Sequence, residues 1–398
     1  MPIPPSSRSS RLRPAESRGS ADEVVFQRTG DATASLDCTV DPAGKWLVVT
    51  VHHGWNGTDV YFRRANGDVQ WRPLTVGGTA SYRAIPNGDF ILVQTDEDAP
   101  RGRVFRVDPT DPARERWREI VPERAGASLR RAALIGDRLL LTYAIDALSS
   151  FEIVDSEGGV RSIRLPGVGA ASMTGRPGDD TAFLRFSSMG TPPQTWRVSV
   201  RTGARSLFSE RRLPFDQDRF VTERLFATSK DGTRVPLFVS HARDVKLDGS
   251  APAILYGYGG FRVSLQPAFV EGVVPWLERG GVYAIACLRG GLEYGESWHR
   301  AGMRHEKQHV FDDFIASAEA LVQGGFTRPE RLVVQGASNG GLLVAVAAIQ
   351  RPDLFRAVLC GEPLADMIRF PLFGESGRAG AASCGLGGRS HGGGGSPR

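Results

Sequence analysis

A pentapeptide with the pattern Gly-x-Ser-x-Gly, residues 336–340, holds the side chain best suited to chemistry in this chain, Ser338. It directly follows an apolar run at 332–334 and directly precedes a helix-like run at 342–349, so the serine stands at a strand-to-helix turn. Such an elbow lifts the hydroxyl above a sheet, and it needs small flanking residues because larger ones would collide with the strand or the helix. The pattern predicts that Ser338 is a nucleophile.

A serine that transfers acyl groups also needs an oxyanion hole, a histidine base and a carboxylate that orients the base. The backbone N–H of Asn339, the residue after the nucleophile, is the expected first donor of the hole, and the helix that begins there adds a positive dipole end. The second donor is expected from the loop at 256–261, Tyr-Gly-Tyr-Gly-Gly-Phe. Its glycines allow close backbone approach, and its tyrosines offer O–H donors.

Strands that alternate with helices surround this elbow. We predict strands at 220–228, 234–241, 253–256, 282–287, 331–335 and 357–360, and helices at 268–278, 312–323 and after the serine. Strands separated by helices of this length imply a mostly parallel, doubly wound sheet. The elbow then lies where an α/β-hydrolase would place it.

The chain before residue 216 has a different, repetitive texture. Turn signals at 41–44, 86–88, 135–137 and 177–179 are each followed by an apolar or alternating run. Their glycines, Gly44, Gly88, Gly136 and Gly178, are 44, 48 and 42 residues apart. A period of about 40–50 residues is typical of one four-stranded propeller blade. We therefore predict about four blades, with a β-sandwich of many hairpins as the alternative.

Several separated strings in a fixed order make the sequence resemble the prolyl oligopeptidase family. They are 255–261, 288–299, Asp312-Asp313, and 336–343 followed by 351–355. The family joins a seven-bladed propeller, which admits only short peptides, to an α/β-hydrolase that cleaves after proline. The resemblance implies that Ser338 is the nucleophile, that Tyr258 supplies a side-chain oxyanion donor and Asn339 a backbone donor, and that Phe261 lines the substrate pocket.

The expected fold class is a partial β-propeller plus a partial α/β-hydrolase domain that ends after the strand following the elbow. We predict a disordered or spurious start at 1–21, the propeller at 22–215, the catalytic part at 216–373 and a glycine-rich tail at 374–398. In this fold the triad Asp and His follow the serine across further strands and helices. Only 60 residues follow Ser338, and ten of the last 25 are glycine. We therefore expect a broken reading frame soon after Phe373, and a chain that lacks both partners.

Two other constellations compete for the chemistry. Asp366 and His391 could replace the lost pair, but nothing in a glycine tail would hold the His391 ring, and Asp366 is better explained as a loop or capping residue. His305-Glu306-Lys307-Gln308-His309 matches HExxH, the pattern of a zinc peptidase. Its short charged flanks and the lack of an evident third ligand favour a solvated segment instead.

Composition sets the remaining expectations. The net charge of +5 is thinly spread and contains no basic run interleaved with aromatics, which argues against nucleic acid as a partner. The four cysteines lack disulfide or zinc spacing, and no run has the length of a secretion signal or a membrane span. We expect a cytoplasmic monomer without cofactor that acts on short proline-containing peptides. The alternative is a non-catalytic fragment or pseudoenzyme.

Overall fold

The computed structural model describes residues 10–12, 23–26, 34–54, 57–67 and 70–369. Within these ranges the chain forms one two-stranded sheet, four four-stranded antiparallel sheets and one six-stranded sheet. The predicted tail at 374–398, with His391, and nearly all of the predicted start at 1–21 lie outside the described residues.

The four-stranded sheets follow one another along the chain, each built by consecutive antiparallel strands. A short pair, β1 (Ser10–Leu12) and β2 (Glu23–Phe26), precedes them. The first two sheets are β3 (Ala34–Val40), β4 (Trp46–His53), β5 (Thr58–Arg64), β6 (Arg72–Thr75), and β7 (Tyr82–Asn87), β8 (Phe90–Thr95), β9 (Arg103–Val107), β10 (Arg118–Val121). The next two are β11 (Ser128–Ile135), β12 (Arg138–Ile145), β13 (Leu148–Val154), β14 (Val160–Ile163), and β15 (Ala170–Gly175), β16 (Thr181–Ser188), β17 (Thr191–Ser199), β18 (Arg205–Glu210).

Successive sheets pack face to face, and each pair encloses its own apolar layer. Phe62 and Ile91 lie fully buried between the first and second sheets, and Phe151 and Leu184 lie fully buried between the third and fourth. A similar layer around Leu141 joins the second and third sheets. Stacking of successive four-stranded sheets through apolar layers is the arrangement of propeller blades.

The six-stranded sheet carries the predicted serine. Its elements in chain order are β19 (Phe220–Thr228), β20 (Arg234–Ala242), β21 (Ala253–Tyr256), α1 (Val274–Glu278), β22 (Val282–Ala286), α2 (Glu296–Arg300), α3 (Gln308–Gln323), β23 (Leu332–Ala337), α4 (Asn339–Gln350) and β24 (Ala357–Gly361). The strand order is β19-β20-β22-β21-β23-β24, and the pairs from β22 to β24 are parallel. Leu255, Phe314 and Val334 lie fully buried in the layer between this sheet and its helices.

The predicted fold class, a β-propeller joined to an α/β-hydrolase domain, is confirmed. The predicted strands at 220–228 and 253–256 coincide with β19 and β21. The helix predicted at 268–278 is wrong in its first half: a 3-10 turn at Glu271–Val273 precedes α1, and Pro275 fits only the first turn of a helix. The helix predicted from residue 312 begins four residues earlier, as α3, and α2 was not predicted. No helix in the described ranges is long and apolar enough to span a membrane.

Candidate active site

The turn between β23 and α4 holds Ser338 in a conformation that non-glycine residues rarely adopt. Its φ is 57° and its ψ is −117°, and the residue is exposed. Backbone bonds fix it there, since its N–H donates to the carbonyl of Gly361 at 2.9 Å and its own carbonyl accepts from Gly341 at 3.0 Å. Strain of this kind costs about 1–3 kcal/mol and persists only where the surroundings enforce it.

The flanking glycines are required by space. A Cβ added to Gly336 would lie 2.1 Å from the carbonyl oxygen of Gly340, and one added to Gly340 would lie 2.6 Å from that of Gly257. Real Cβ atoms do not approach backbone so closely. The steric reason inferred from the sequence for these two positions therefore agrees with the packing.

Asn339 joins the elbow to the glycine-rich loop. Because β21 and β23 are parallel neighbours, the loop after Tyr256 and the turn after Ala337 meet at the same edge of the sheet. The side chain of Asn339 is buried, and its Nδ2 donates to the carbonyl of Tyr258. A Cβ on Gly260 would lie 2.6 Å from that same Nδ2, so only glycine leaves room for the contact.

Lys307 is a residue of this site to which the sequence analysis gave no role. Its Nζ donates to the carbonyl of Gly259 at 2.7 Å and to Oδ1 of Asn339 at 3.3 Å. The ammonium thus ties the glycine-rich loop to the residue beside the serine. One signal could have pointed to it, since it is one of only four lysines in a chain rich in arginine.

The structure brings three of the four predicted site residues together directly. Ser338 and Asn339 are adjacent, and Tyr258 is bound through its main chain, with its ring atom Cδ2 only 3.6 Å from a Cβ built on Gly340. Phe261 lies on the same loop, two residues past the close contact of Gly259 with Lys307. It is half-buried and has a φ of 53°, so the loop bends sharply there.

A buried ion pair lies one residue before Gly290, whose carbonyl accepts from the backbone N–H of Arg262 just past the loop. The guanidinium of Arg289 donates from Nε to Oδ2 of Asp313 at 2.9 Å, and Asp313 is fully buried and also accepts from the hydroxyl of Ser229 at 2.6 Å. Burial disfavours the charged form of Arg289, but hydrogen bonds to Asp313 and Asp231 outweigh it and raise its pKa. The hydrogen bond from Arg289 likewise lowers the pKa of Asp231.

The HExxH segment and Asp366, the two alternative sites considered from the sequence, have surroundings that do not match the proposed chemistry. His305 lies in a 3-10 turn, Arg304–Lys307, that leads into α3, whereas His309 lies in the first turn of α3 and contacts the carbonyl of Ala301. The two histidines therefore do not share one regular α-helix, as HExxH requires. Asp366 accepts from the backbone N–H of Arg369 at 3.1 Å, the role of a turn-capping residue.

A propeller of stacked four-stranded sheets, joined to a sheet whose Gly-x-Ser-x-Gly elbow contacts a glycine-rich loop, defines a propeller-bearing α/β-hydrolase fold. Comparison with known families agrees. Residues 15–211 match the prolyl oligopeptidase N-terminal beta-propeller domain, and residues 267–379 match the prolyl oligopeptidase family. The chain belongs to the prolyl oligopeptidase family.

Individual relatives point the same way. The prolyl endopeptidase of Elizabethkingia meningoseptica is 34% identical over 357 residues, which are 89% of this chain and 50% of that protein. One of two prolyl endopeptidases solved to study inter-domain dynamics is 46% identical, with a TM-score of 0.89, over 96% of this chain and 56% of its own. Prolyl oligopeptidase B from Galerina marginata, bound to a 35mer substrate, is 27% identical with a TM-score of 0.88. The match covers 95% of this chain and 55% of the Galerina chain. The chain thus spans about half the length of the relatives it matches.

Proposed function

We propose that this chain carries the nucleophile and oxyanion hole of a serine peptidase that cleaves short proline-containing peptides. One observation carries the proposal: Ser338 is held at a strained φ on the elbow while Asn339 is bound to the loop that carries Tyr258. Strain that a tight turn enforces at an exposed serine is typical of a nucleophile. A solved relative supports peptides as the substrate class, since the Galerina protein is bound to a 35mer substrate.

In the proposed mechanism the Ser338 hydroxyl attacks the carbonyl carbon of the scissile bond. The C–O bond forms as the carbonyl π bond opens, the hydroxyl proton passes to water, and the negative charge moves to the carbonyl oxygen. The backbone N–H of Asn339 and the hydroxyl of Tyr258 donate to that oxygen. Each such donor typically contributes about 10²–10³ in rate, because it is already oriented when the charge develops. When the C–N bond then breaks, the amine leaves with a proton taken from water, and water hydrolyses the remaining ester of Ser338 to release the acid. Phe261 is proposed to contact the side chain before the scissile bond.

We further infer that the 398 residues alone turn over little substrate. Four of the described histidines, His52, His53, His241 and His309, each bind a carboxylate, and His299 contacts the carbonyl of Gly290. None of the described histidines hydrogen-bonds the Ser338 hydroxyl. A serine hydroxyl without a base is a poor nucleophile, and removing the histidine of a triad costs about six orders of magnitude in kcat. The alternative remains a non-catalytic fragment.

Labelling with a fluorophosphonate probe tests both parts. Intact protein and its Ser338→Ala variant are exposed to the probe for hours, and the modified serines are identified by peptide mass spectrometry. We expect slow labelling at Ser338, faster than at any other serine because the oxyanion hole acts only there, and none in the variant. The Elizabethkingia relative serves as the complete enzyme for comparison. If Ser338 is labelled as fast as the serine of that relative, the inference that this chain lacks a base for Ser338 is wrong. If other serines are labelled equally fast, the proposal that Ser338 is the nucleophile is wrong.

A further inference from the structure

A cavity of about 730 Å³ lies where the first three propeller sheets meet the hydrolase domain. Its propeller wall is formed mainly by the first strand of each sheet, β3, β7 and β11, and its hydrolase wall includes Arg262, Leu292 and Glu296. Sites for small ligands typically measure about 300–1,000 Å³. Arg262 directly follows Phe261, so the cavity adjoins the loop proposed to bind the substrate.

More arginines than carboxylates line this cavity, and only some of the arginines have a carboxylate partner. Five arginines face three carboxylates, Asp37, Asp96 and Glu296. All three acids already have cationic or histidine partners: Asp37 binds His52 at 2.9 Å, and Arg262 lies 3.1 Å from Asp96 and 3.0 Å from Glu296. The wall therefore has a net positive charge with no carboxylate left over.

Three of the arginines, Arg83, Arg101 and Arg131, form what we call the arginine cluster. Among the described residues no carboxylate lies within 4 Å of any of their guanidinium groups. The Nε of Arg101 is buried and has no hydrogen-bond partner there, while its backbone N–H donates to Glu123. Partial desolvation and the charge of Arg131 lower the pKa of Arg83, whereas the charge of Asp37 opposes the shift. Arg83 and Arg131 therefore repel each other, and Asp37 offsets only part of that repulsion.

The fourth lining arginine, Arg130, has a different role. It donates to the carbonyl of Leu292 at 2.8 Å and lies near the buried carboxyl of Glu293, so it joins the two domains rather than facing an empty volume. Within the described residues, no side chain of the arginine cluster makes a hydrogen bond to the hydrolase domain. A guanidinium group forms two parallel, coplanar hydrogen bonds with a carboxylate. A carboxylate is therefore the ligand group that fits the arginine cluster best.

We propose that the arginine cluster binds a carboxylate of the peptide substrate, and that this chain therefore prefers peptides with a free carboxyl end or an acidic side chain. The inference rests on the proposed peptidase function. A bound carboxylate supplies the negative charge that the cluster lacks and offsets the mutual repulsion of Arg83 and Arg131. Because the cavity is partly open to solvent, the preference weakens as salt is added.

Calorimetric titration of the Ser338→Ala variant tests this without requiring turnover. Three peptides are compared: N-acetyl-Gly-Pro-Ala-Gly-Ala with a free carboxyl end, the same peptide amidated, and the amidated peptide with its last Ala replaced by Glu. We expect the free acid to bind at least tenfold more tightly than its amide at low salt. The Glu peptide separates the two sources of charge, since tight binding shows that any carboxylate suffices and weak binding restricts the site to the peptide end.

Variants then assign the effect to the cluster. The tenfold difference should vanish in Arg83→Gln with Arg131→Gln and survive in Arg83→Lys. It should also survive in the matched control Arg176→Gln, an exposed arginine on the hairpin between β15 and β16. Equal affinity for acid and amide would overturn the carboxylate site and leave the peptidase proposal intact. Absence of all peptide binding would overturn this inference, and it would count against the peptidase proposal only if Ser338 also failed to label.

Discussion

The ammonium of Lys307 lies 3.3 Å from Oδ1 of Asn339 and 2.7 Å from the carbonyl of Gly259, so one side chain fixes both halves of the proposed oxyanion hole. Asn339 in turn holds the carbonyl of Tyr258 through its Nδ2. The backbone N–H of Asn339 and the side chain of Tyr258 are thus positioned by a common network. A substitution at Lys307 should therefore change the mobility of the glycine-rich loop, although Lys307 itself is not proposed to contact the substrate.

Replacing Lys307 with Met should loosen the glycine-rich loop. A hydrogen bond to a charged group contributes about 1.5–3 kcal/mol, and its loss leaves the buried amide of Asn339 short of a partner. We expect faster hydrogen exchange in the loop peptide at 257–262, read by mass spectrometry. Lys230→Met, a lysine exposed on a turn, is the control and should leave exchange there unchanged. Unchanged exchange in Lys307→Met would show that the loop is held without it.

Replacing Gly340 with Ala should destabilise the elbow through sterics alone. The added Cβ would meet the carbonyl of Gly257 at 2.6 Å, so either the start of α4 or the loop must move. Overpacking of this kind typically costs about 1–3 kcal/mol. The free energy of unfolding in urea measures it, with Gly272→Ala as the control, because a Cβ there meets nothing within 4 Å. Equal stability of both variants would contradict the close packing of the turn against the loop.

Removing only one partner of the buried pair of Arg289 and Asp313 should lower the free energy of unfolding more than removing both partners together. Arg289→Met leaves a fully buried carboxylate with only the Ser229 hydroxyl and the backbone N–H of residue 289 as donors, and losses of about 3–5 kcal/mol are typical of such an orphaned charge. The double variant with Asp313→Leu removes the orphan and should recover part of the loss. A double-mutant cycle on unfolding free energies gives the coupling, and additive losses would contradict it.

The sequence predicted the fold class and the elbow because both depend on local signals. Alternating apolar runs, turn glycines and the Gly-x-Ser-x-Gly flanks are each visible within about ten residues. Lys307 and the arginine cluster were missed because their partners lie far away in sequence: 48 residues separate Lys307 from Gly259, and Arg83 lies 48 residues before Arg131. Long-range neighbours of this kind leave no periodic signal. The start of α3 was misplaced because the charged residues before Asp312 conceal a helix that buries Val310 and Phe311.

Replacing Glu293 with Gln should change how stability depends on pH. Glu293 is buried, its Oε1 accepts from the backbone N–H of Leu265 at 2.9 Å, and its Oε2 has no hydrogen-bond partner among the described residues. Burial raises the pKa of Glu293 from 4.5 to about 7, with the nearby charge of Arg130 opposing the shift.

The sign follows from the protons bound in each state. Between pH 4.5 and about 7 the folded chain holds a proton on Glu293 that the unfolded chain has lost, so this group's stabilisation is complete below pH 4.5 and is lost as the pH rises to about 7. The glutamine variant stays neutral, so its free energy of unfolding should not fall between pH 4.5 and about 7 for this reason. At pH 8 its free energy of unfolding should exceed that of the parent by up to about 3 kcal/mol. Urea unfolding at a series of pH values measures the difference, with the exposed Glu278→Gln as the control. Parallel pH profiles for parent and Glu293→Gln would mean that the carboxyl is already ionised at acidic pH.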